Sequence, residues 1–272
     1  MMNGRQISSM EKNNQEIKYP FFNRDRILKI EMLENLRDFP RSLLEINIHD
    51  LSDGIVKGFF PTVSENTITF SKGIVKYNGQ VYLFNPFTLN YSATEDEVAI
   101  LLTFGETEEN KDYSTMPVSA GIHLISEQIL GFPNVIELGK FKLKTGAYLR
   151  SDYQDLYDFT TEYNTINIVN VKYAGYKEHT LSHLILKYFA RAVVNARSEN
   201  PLDISFSMLC LNSERIERET ILSYIAYRLE EELTPVSNNE LHEKLVKVLE
   251  IIKRESPGLR RRLRAERKII LD

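Results

Sequence analysis

Between Leu51 and Phe84 the chain reads LSDGIVKGFFPTVSENTITFSKGIVKYNGQVYLF, short apolar runs broken every few residues by Gly, Asn or Ser. That punctuation predicts a series of short strands joined by turns. Val75-Lys76-Tyr77 and Gln80-Val81-Tyr82-Leu83 flank Asn78-Gly79, the pair favoured where both central residues of a turn need positive φ, so a tight hairpin is expected there. The segment holds no arrangement of groups able to do chemistry. Its rhythm points toward building an assembly.

The strand period extends well beyond this segment. Candidate strands are 44–48, 55–60, 67–70, 74–77, 80–84, 98–104, 122–130, 135–143 and 165–171, several separated by hairpin-length turns. Gly105–Ala120 is polar and acidic and reads as a surface loop. Ahead of the strands, residues 1–20 are polar and read as a flexible arm. Asn23 is placed to cap a helix running to about Asp38, with Pro40 as its stop. On that helix Phe22, Leu28, Met32, Leu33, Leu36 and Phe39 share one face, and Ile27 and Ile30 fall on the other. A helix with two apolar faces touches two neighbours, and one of them can be another chain.

After about residue 175 the period changes to helical. In His179–Arg197, Leu181, Leu184, Ile185, Tyr188, Phe189, Ala192, Val193 and Ala196 recur at i, i+3, i+4 spacing. A second helix is expected over about 214–233, with Glu214 and Glu217 in its first turn. The third opens with Ser237 and Glu240 as a capping box and Val236 and Leu241 as a hydrophobic staple. Its stripe is Leu241, Leu245, Val248, Leu249 and Ile252, ending at Pro257-Gly258. Asn200–Asn212 fits strand or helix. The expected class is α+β: a central antiparallel β-sandwich or barrel-like domain with an N-terminal helix and a C-terminal helical domain, divided 1–43, 44–175 and 176–272.

At 272 residues with net charge −4, the molecule as a whole is not built to sit on nucleic acid or an anionic membrane. No apolar stretch approaches the roughly 20 residues that cross a bilayer. The N-terminal stretch lacks the apolar centre of a secretory signal, which predicts folding in the cytoplasm. Cys210 is the only cysteine, so an internal disulfide and a multi-cysteine metal site are excluded.

Catalytic signatures are missing. There is no GxxxxGK[ST], no GxGxxG and no GxSxG. His179 and His183 stand four apart, but Thr180 occupies the place of a catalytic glutamate and no third metal ligand is evident. Cys210 lies among Met208, Leu209 and Leu211 and reads as a buried, inert thiol, while His49, His123 and His242 are scattered singly. No catalytic, cofactor or metal residue is assigned. Asp152, Asp155 and Asp158 alternate with Tyr153, Tyr157, Phe159 and Tyr163. Such interleaving suits either a sugar-binding surface or a short element that packs its rings inward.

The basic tail is the strongest local anomaly. Lys253, Arg254, Arg260, Arg261, Arg262, Arg264, Arg267 and Lys268 are eight cations against Glu255 and Glu266. They suit phosphate, or they suit carboxylates such as Glu230, Glu231 and Glu232 on this chain or a neighbour. Leu259, Leu263 and Ile269-Ile270-Leu271 look like apolar anchors for docking.

Asp53–Phe60, DGIVKGFF, and Ile68–Leu83, ITFSKGIVKYNGQVYL, resemble the small β-modules of baseplate and fibre-attachment proteins of bacteriophage tails and related contractile particles. The glycines that match are Gly54, Gly58, Gly73 and Gly79, over about 35 residues in all. The resemblance implies a structural subunit, with no enzyme activity and no cofactor, of a baseplate or of the adaptor joining it to receptor-binding fibres. Its partners would be other tail or baseplate subunits in an oligomeric assembly, reached from the cytoplasm and ending in a virion or tail-like particle. The residues expected to bind partners are Ile27, Ile30, Arg260, Arg261, Arg262, Arg264, Arg267 and Lys268. Two alternatives are a nucleic-acid-binding protein using the tail and a carbohydrate-binding protein using Ser151–Tyr163.

Overall fold

The computed structural model describes residues 18–109, 111, 114–125, 134–232 and 234–255. The chain divides into two compact units, one up to His49 and one from Asp50.

The first unit is built on α1 (Ile30–Ile48). It differs from the expected helix at both ends. Asn23 does not cap it: the Asn23 carbonyl accepts from Arg26 N in a turn, and Asp25 has φ 66°, which breaks helical winding there. Pro40 lies inside α1, not after it. Its ring fixes φ near the helical value and removes one N–H donor, and the helix continues with an Arg41–Glu45 ion pair at 2.9 Å and Asn47 Nδ2 on Leu43 O at 2.7 Å. The strand expected at 44–48 is therefore helical. Leu44, Ile46 and Ile48 satisfy period two, but Leu44 and Ile48 also satisfy i, i+4.

Among the described residues of the second unit the strands form three three-stranded antiparallel sheets and one two-stranded ladder. The first joins β1 (Gly54–Lys57), β4 (Gly73–Tyr77) and β5 (Gln80–Phe84) in the order β1-β4-β5. The second joins β2 (Pro61–Ser64), β3 (Thr67–Phe70) and β6 (Phe87–Asn90). The third centres on β7 (Thr94–Phe104), flanked later in the chain by β10 (Val118–Leu124) and β11 (Val135–Leu143). The region expected as a polar loop also carries a two-residue ladder, β8 (Glu108–Glu109) with β9 (Ser114–Thr115). Val98 to Leu102 on β7 is buried on both faces, which explains its unbroken apolar run. β2 and β6, which the sequence reading did not pick out, contain no fully buried residue, and β2 opens on Pro61. Segment 165–171 is not a continuous strand; it makes isolated bridges, Thr165 with Arg150 and Asn167 with Lys140 of β11.

The hairpin forms as its turn chemistry requires. Tyr77 pairs with Gln80, and Asn78 and Gly79 have φ 49° and 73°. A second left-handed point links the first two sheets: Gly58 at φ 85° is followed by Phe59 at φ 59°. An aromatic residue rarely adopts that conformation. Here it is held by burial, with the Phe59 ring 5.3 Å from Phe84 and 6.2 Å from Phe87.

Among the described residues the unit also has four α-helices: α2 (His183–Ala196), α3 (Pro201–Asn212), α4 (Arg218–Leu229) and α5 (Asn238–Glu255). α2 starts at Ser182, whose side chain accepts from Leu184 N, so His179 lies outside the helix. The ambiguous 200–212 segment is helical because Asn200 caps it and Pro201 occupies its first turn. The capping box before α5 is present: Ser237 N donates to Glu240 Oε2 at 2.7 Å, and Glu240 N donates to Ser237 Oγ at 3.2 Å. Sheets and helices share one apolar core running from Ile55 to Ile252. Tyr188 OH on Tyr153 O at 2.7 Å and His242 Nε2 against Leu156 O at 3.0 Å tie the helices to the β-rich part. The architecture is α+β.

Candidate docking surfaces and a polar pocket

Helix α1 presents apolar side chains along most of its length. Leu33, Leu36 and Phe39 are 46%, 56% and 52% exposed, and Ile30 is 75% exposed. Ile27, 88% exposed, precedes the helix and does not form a second face on it. The other residues expected to bind partners, Arg260, Arg261, Arg262, Arg264, Arg267 and Lys268, lie outside the described residues.

A second apolar surface runs between α3 and α4 in the second unit. α3 is apolar nearly all round: Phe206 and Cys210 face the core, while Ile204, Met208 and Leu209 are exposed. A helix of that kind has more apolar surface than one core can cover. The groove beside it, about 1040 Å³, is floored by Phe206 and Tyr224, stacked at 4.0 Å and 10°, with Pro201, Leu202, Leu209 and Tyr227 along its walls. Beneath it lies the buried carboxylate of Asp203. It accepts from Ser198 Oγ at 2.6 Å and Tyr224 OH at 2.9 Å, and it sits 3.2 Å from Arg228 Nε. Burial, then the Asp203 charge, pushes the Tyr224 hydroxyl well above its ordinary range. Arg228 also holds Glu255, the last residue of α5, at 2.8 Å.

A polar pocket of about 250 Å³ is assembled from distant parts of the chain, among them Asp53, Tyr77, Glu137, Asn170, Lys172 and His179. Asp53 accepts from the turn amides of Asn78, at 2.9 Å, and Gly79, at 3.4 Å, so its carboxylate is used in holding the hairpin. Burial pushes the Glu137 carboxyl up to about 6, with Lys140 opposing and Glu97 adding to the rise. Its Oε1 is buried without a hydrogen-bond partner. Burial, then Arg218 and Lys172, pulls His179 down to about 4, leaving the imidazole neutral at physiological pH. The pocket thus offers a carboxylate and a neutral imidazole, and its lining contains no Ser, Thr or Cys to act as nucleophile. Sequence reading missed it, since its members are spread from 53 to 179 and no spacing signals them.

The other sequence candidates have structural partners. His183 Nε2 lies 3.1 Å from the Cys210 carbonyl, and burial pushes the Cys210 thiol up to about 12, removing it as a nucleophile. Among the described residues no three of His, Cys, Asp and Glu gather as a metal site, and no helix is long and apolar enough to cross a membrane. Of the two readings of Ser151–Tyr163, the packing matches the one in which the rings turn inward. Tyr153 and Phe159 stack on each other at 4.0 Å inside the core, where no sugar can lie on them. Asp158 is engaged by Arg150 at 2.7 Å and by Gln154 N at 2.8 Å, and the Arg150 hydrogen bond holds its carboxyl down at about 2. Asp155 accepts from Tyr157 N and Asp158 N, closing a local turn.

No protein-family model matches the chain, and no curated protein matches it in sequence. Among solved structures it is similar to a chain of the type VI secretion system TssK-TssF-TssG baseplate subcomplex, at 10% identity and TM-score 0.38, over 86% of this chain and 100% of that one. It is also similar to TssK in a crystal structure, at 8% identity and TM-score 0.36, over 88% of this chain and 69% of that one. Both likenesses are weak.

Proposed function

We propose that this chain is a structural, non-catalytic subunit of a phage-tail-like contractile baseplate, or the adaptor joining such a baseplate to its receptor-binding fibres. The observation that carries the reading is α1. A 19-residue helix with no side-chain cap, a proline inside and exposed Leu33, Leu36, Phe39 and Leu43 gains little from its own unit. An apolar surface of that extent calls for coverage by another subunit. The four-glycine resemblance at Asp53–Phe60 and Ile68–Leu83 supports the kind of assembly. Three of those glycines, Gly54, Gly58 and Gly79, have φ of 142°, 85° and 73°, which other residues adopt only with strain.

The mechanism is multivalent docking. Each subunit holds neighbours through separate segments, with Ile27, Ile30 and α1 at one end and the basic tail at the other, and each contact raises the effective concentration of the next. The subunit is made in the cytoplasm and resides in the finished particle. The test is incorporation. The full chain should enter the particle stoichiometrically, and the triple variant Leu33→Gln, Leu36→Gln, Phe39→Gln should fold with an unchanged melting profile yet be left out. Normal incorporation of that variant sinks the role given to α1; a full chain that never enters a particle sinks the function.

A further inference from the structure

We propose that the polar pocket lined by Asp53, Tyr77, Glu137, Asn170 and His179 is a binding site for a guanidinium group, carried by an arginine side chain of another protein or by a small free molecule. The inference does not rest on the baseplate reading, since it uses only side chains within the second unit.

Three features of the pocket select that ligand. The first is its carboxylates. Asp53 and Glu137 both line the space, and Glu137 Oε1 is buried with no hydrogen-bond partner. Native proteins keep few buried polar atoms in that state, and a buried carboxylate without donors is costly. Two cations act on Glu137, Lys140 and Lys172, and neither gives Oε1 a hydrogen bond. Lys140 is held by Glu97 at 3.1 Å, and Lys172 is exposed, where its long stem lets the ammonium turn to water. An anion entering the pocket would meet two carboxylates, and a neutral group would leave the Glu137 charge uncompensated. A cation relieves it.

The second feature is that the rest of the lining does not repel a cation. Burial, then Arg218 and Lys172, hold His179 at about 4, so its imidazole is a neutral acceptor at physiological pH. Arg218 is not part of the lining; its guanidinium is spent on Asn238 Oδ1 at 2.6 Å and on the His179 carbonyl at 3.3 Å. Size and shape are the third. About 250 Å³ falls below the roughly 300–1,000 Å³ of a site for a whole drug-sized ligand and suits a single cationic head. Tyr77 supplies a flat wall, fixed by stacking on Phe104 at 4.1 Å. A guanidinium is planar, stacks on aromatic rings and gives a carboxylate two parallel N–H bonds, which an ammonium cannot do.

The test is saturation-transfer NMR on the full chain, with methylguanidinium as one probe and a capped Gly-Arg-Gly peptide as the other. Both should bind saturably at neutral pH. Glu137→Gln keeps the size of the side chain and should weaken binding by about ten-fold or more, with its unfolding midpoint showing that it still folds. Lys172→Gln should tighten binding about two-fold by removing a like charge, whereas an anion site would be weakened by it. Taking the pH from about 7 to about 5 should cost about ten-fold in affinity, because Glu137 gains its proton near 6 while His179 stays neutral. Tighter binding of the peptide assigns the group to an arginine of another protein, and equal affinities assign it to a free molecule. Absence of saturable binding by either probe overturns the proposal, and so does affinity that is unchanged in Glu137→Gln.

Discussion

Helices α1 and α5 carry the same kind of apolar stripe and meet opposite fates. In α5, Leu241, Leu245, Val248, Leu249 and Ile252 are all buried in the core of the second unit. In α1, Leu33, Leu36, Phe39 and Leu43 are exposed. Their ends differ in the same sense. α5 begins with a reciprocal Ser237–Glu240 cap, whereas α1 begins at Lys29 with no side-chain hydrogen bond and contains Pro40. Helical periodicity therefore identifies which face seeks cover, but not which molecule supplies it. Where local signals and internal burial agree, as in α5, the chain completes the helix itself. Where both are weak, as in α1, the apolar face stays exposed.

The largest expected effect separates the two helices directly. Leu245→Ala should cost about 2–5 kcal/mol in denaturant unfolding, because it opens a cavity in a packed core. Leu36→Ala should cost the isolated chain less than about 0.5 kcal/mol while weakening its association with neighbours. Equal losses from the two changes would break the comparison.

A smaller effect comes from pH. Glu137 in the second unit has its folded value raised to about 6, while α1 carries only exposed charges such as the Arg41–Glu45 pair. Between its ordinary value of 4.5 and about 6, the folded protein keeps a proton that the unfolded chain has released. The stabilising contribution is complete below 4.5 and is lost as pH rises through 6, amounting to about 2 kcal/mol. Glu137→Gln should flatten that slope in urea melts taken across the range and leave the protein more stable at pH 7. A slope that survives the substitution assigns the proton to another group.

The smallest effect concerns the caps. Ser237→Ala should cost about 1 kcal/mol, whereas Lys29→Asp should add helicity to α1 by supplying the missing acceptor. Far-UV circular dichroism and unfolding midpoints check both. If Lys29→Asp leaves helicity unchanged, the start of α1 is limited by something other than its cap.

What the sequence made legible was local. Asn78-Gly79, the Ser237–Glu240 box and the alternation of Val135–Leu143 each place their signal within a few residues of the structure they specify. The N-terminal helix was misplaced because Pro40 looks like a stop and Leu44-Leu-Glu-Ile-Asn-Ile fits both periods. His179 and His183 seemed to share a helix until Ser182 capped it between them. The α3–α4 groove and the Glu137 pocket were not legible at all. Asp203, Tyr224 and Arg228 meet through packing across a helix pair, and Asp53, Glu137 and His179 line one pocket from three distant stretches of chain. Contacts of that sort leave no spacing behind.

The turn at Gly58-Phe59 has a mechanical consequence. β1 ends at Lys57 in one sheet and β2 begins at Pro61 in another, so tension on either sheet reaches the other through a three-residue link. Straightening that link would pull Phe59 from between Phe84 and Phe87, residues that belong to the two sheets being pulled apart. The ring therefore resists separation of the two sheets at the point where the chain joins them.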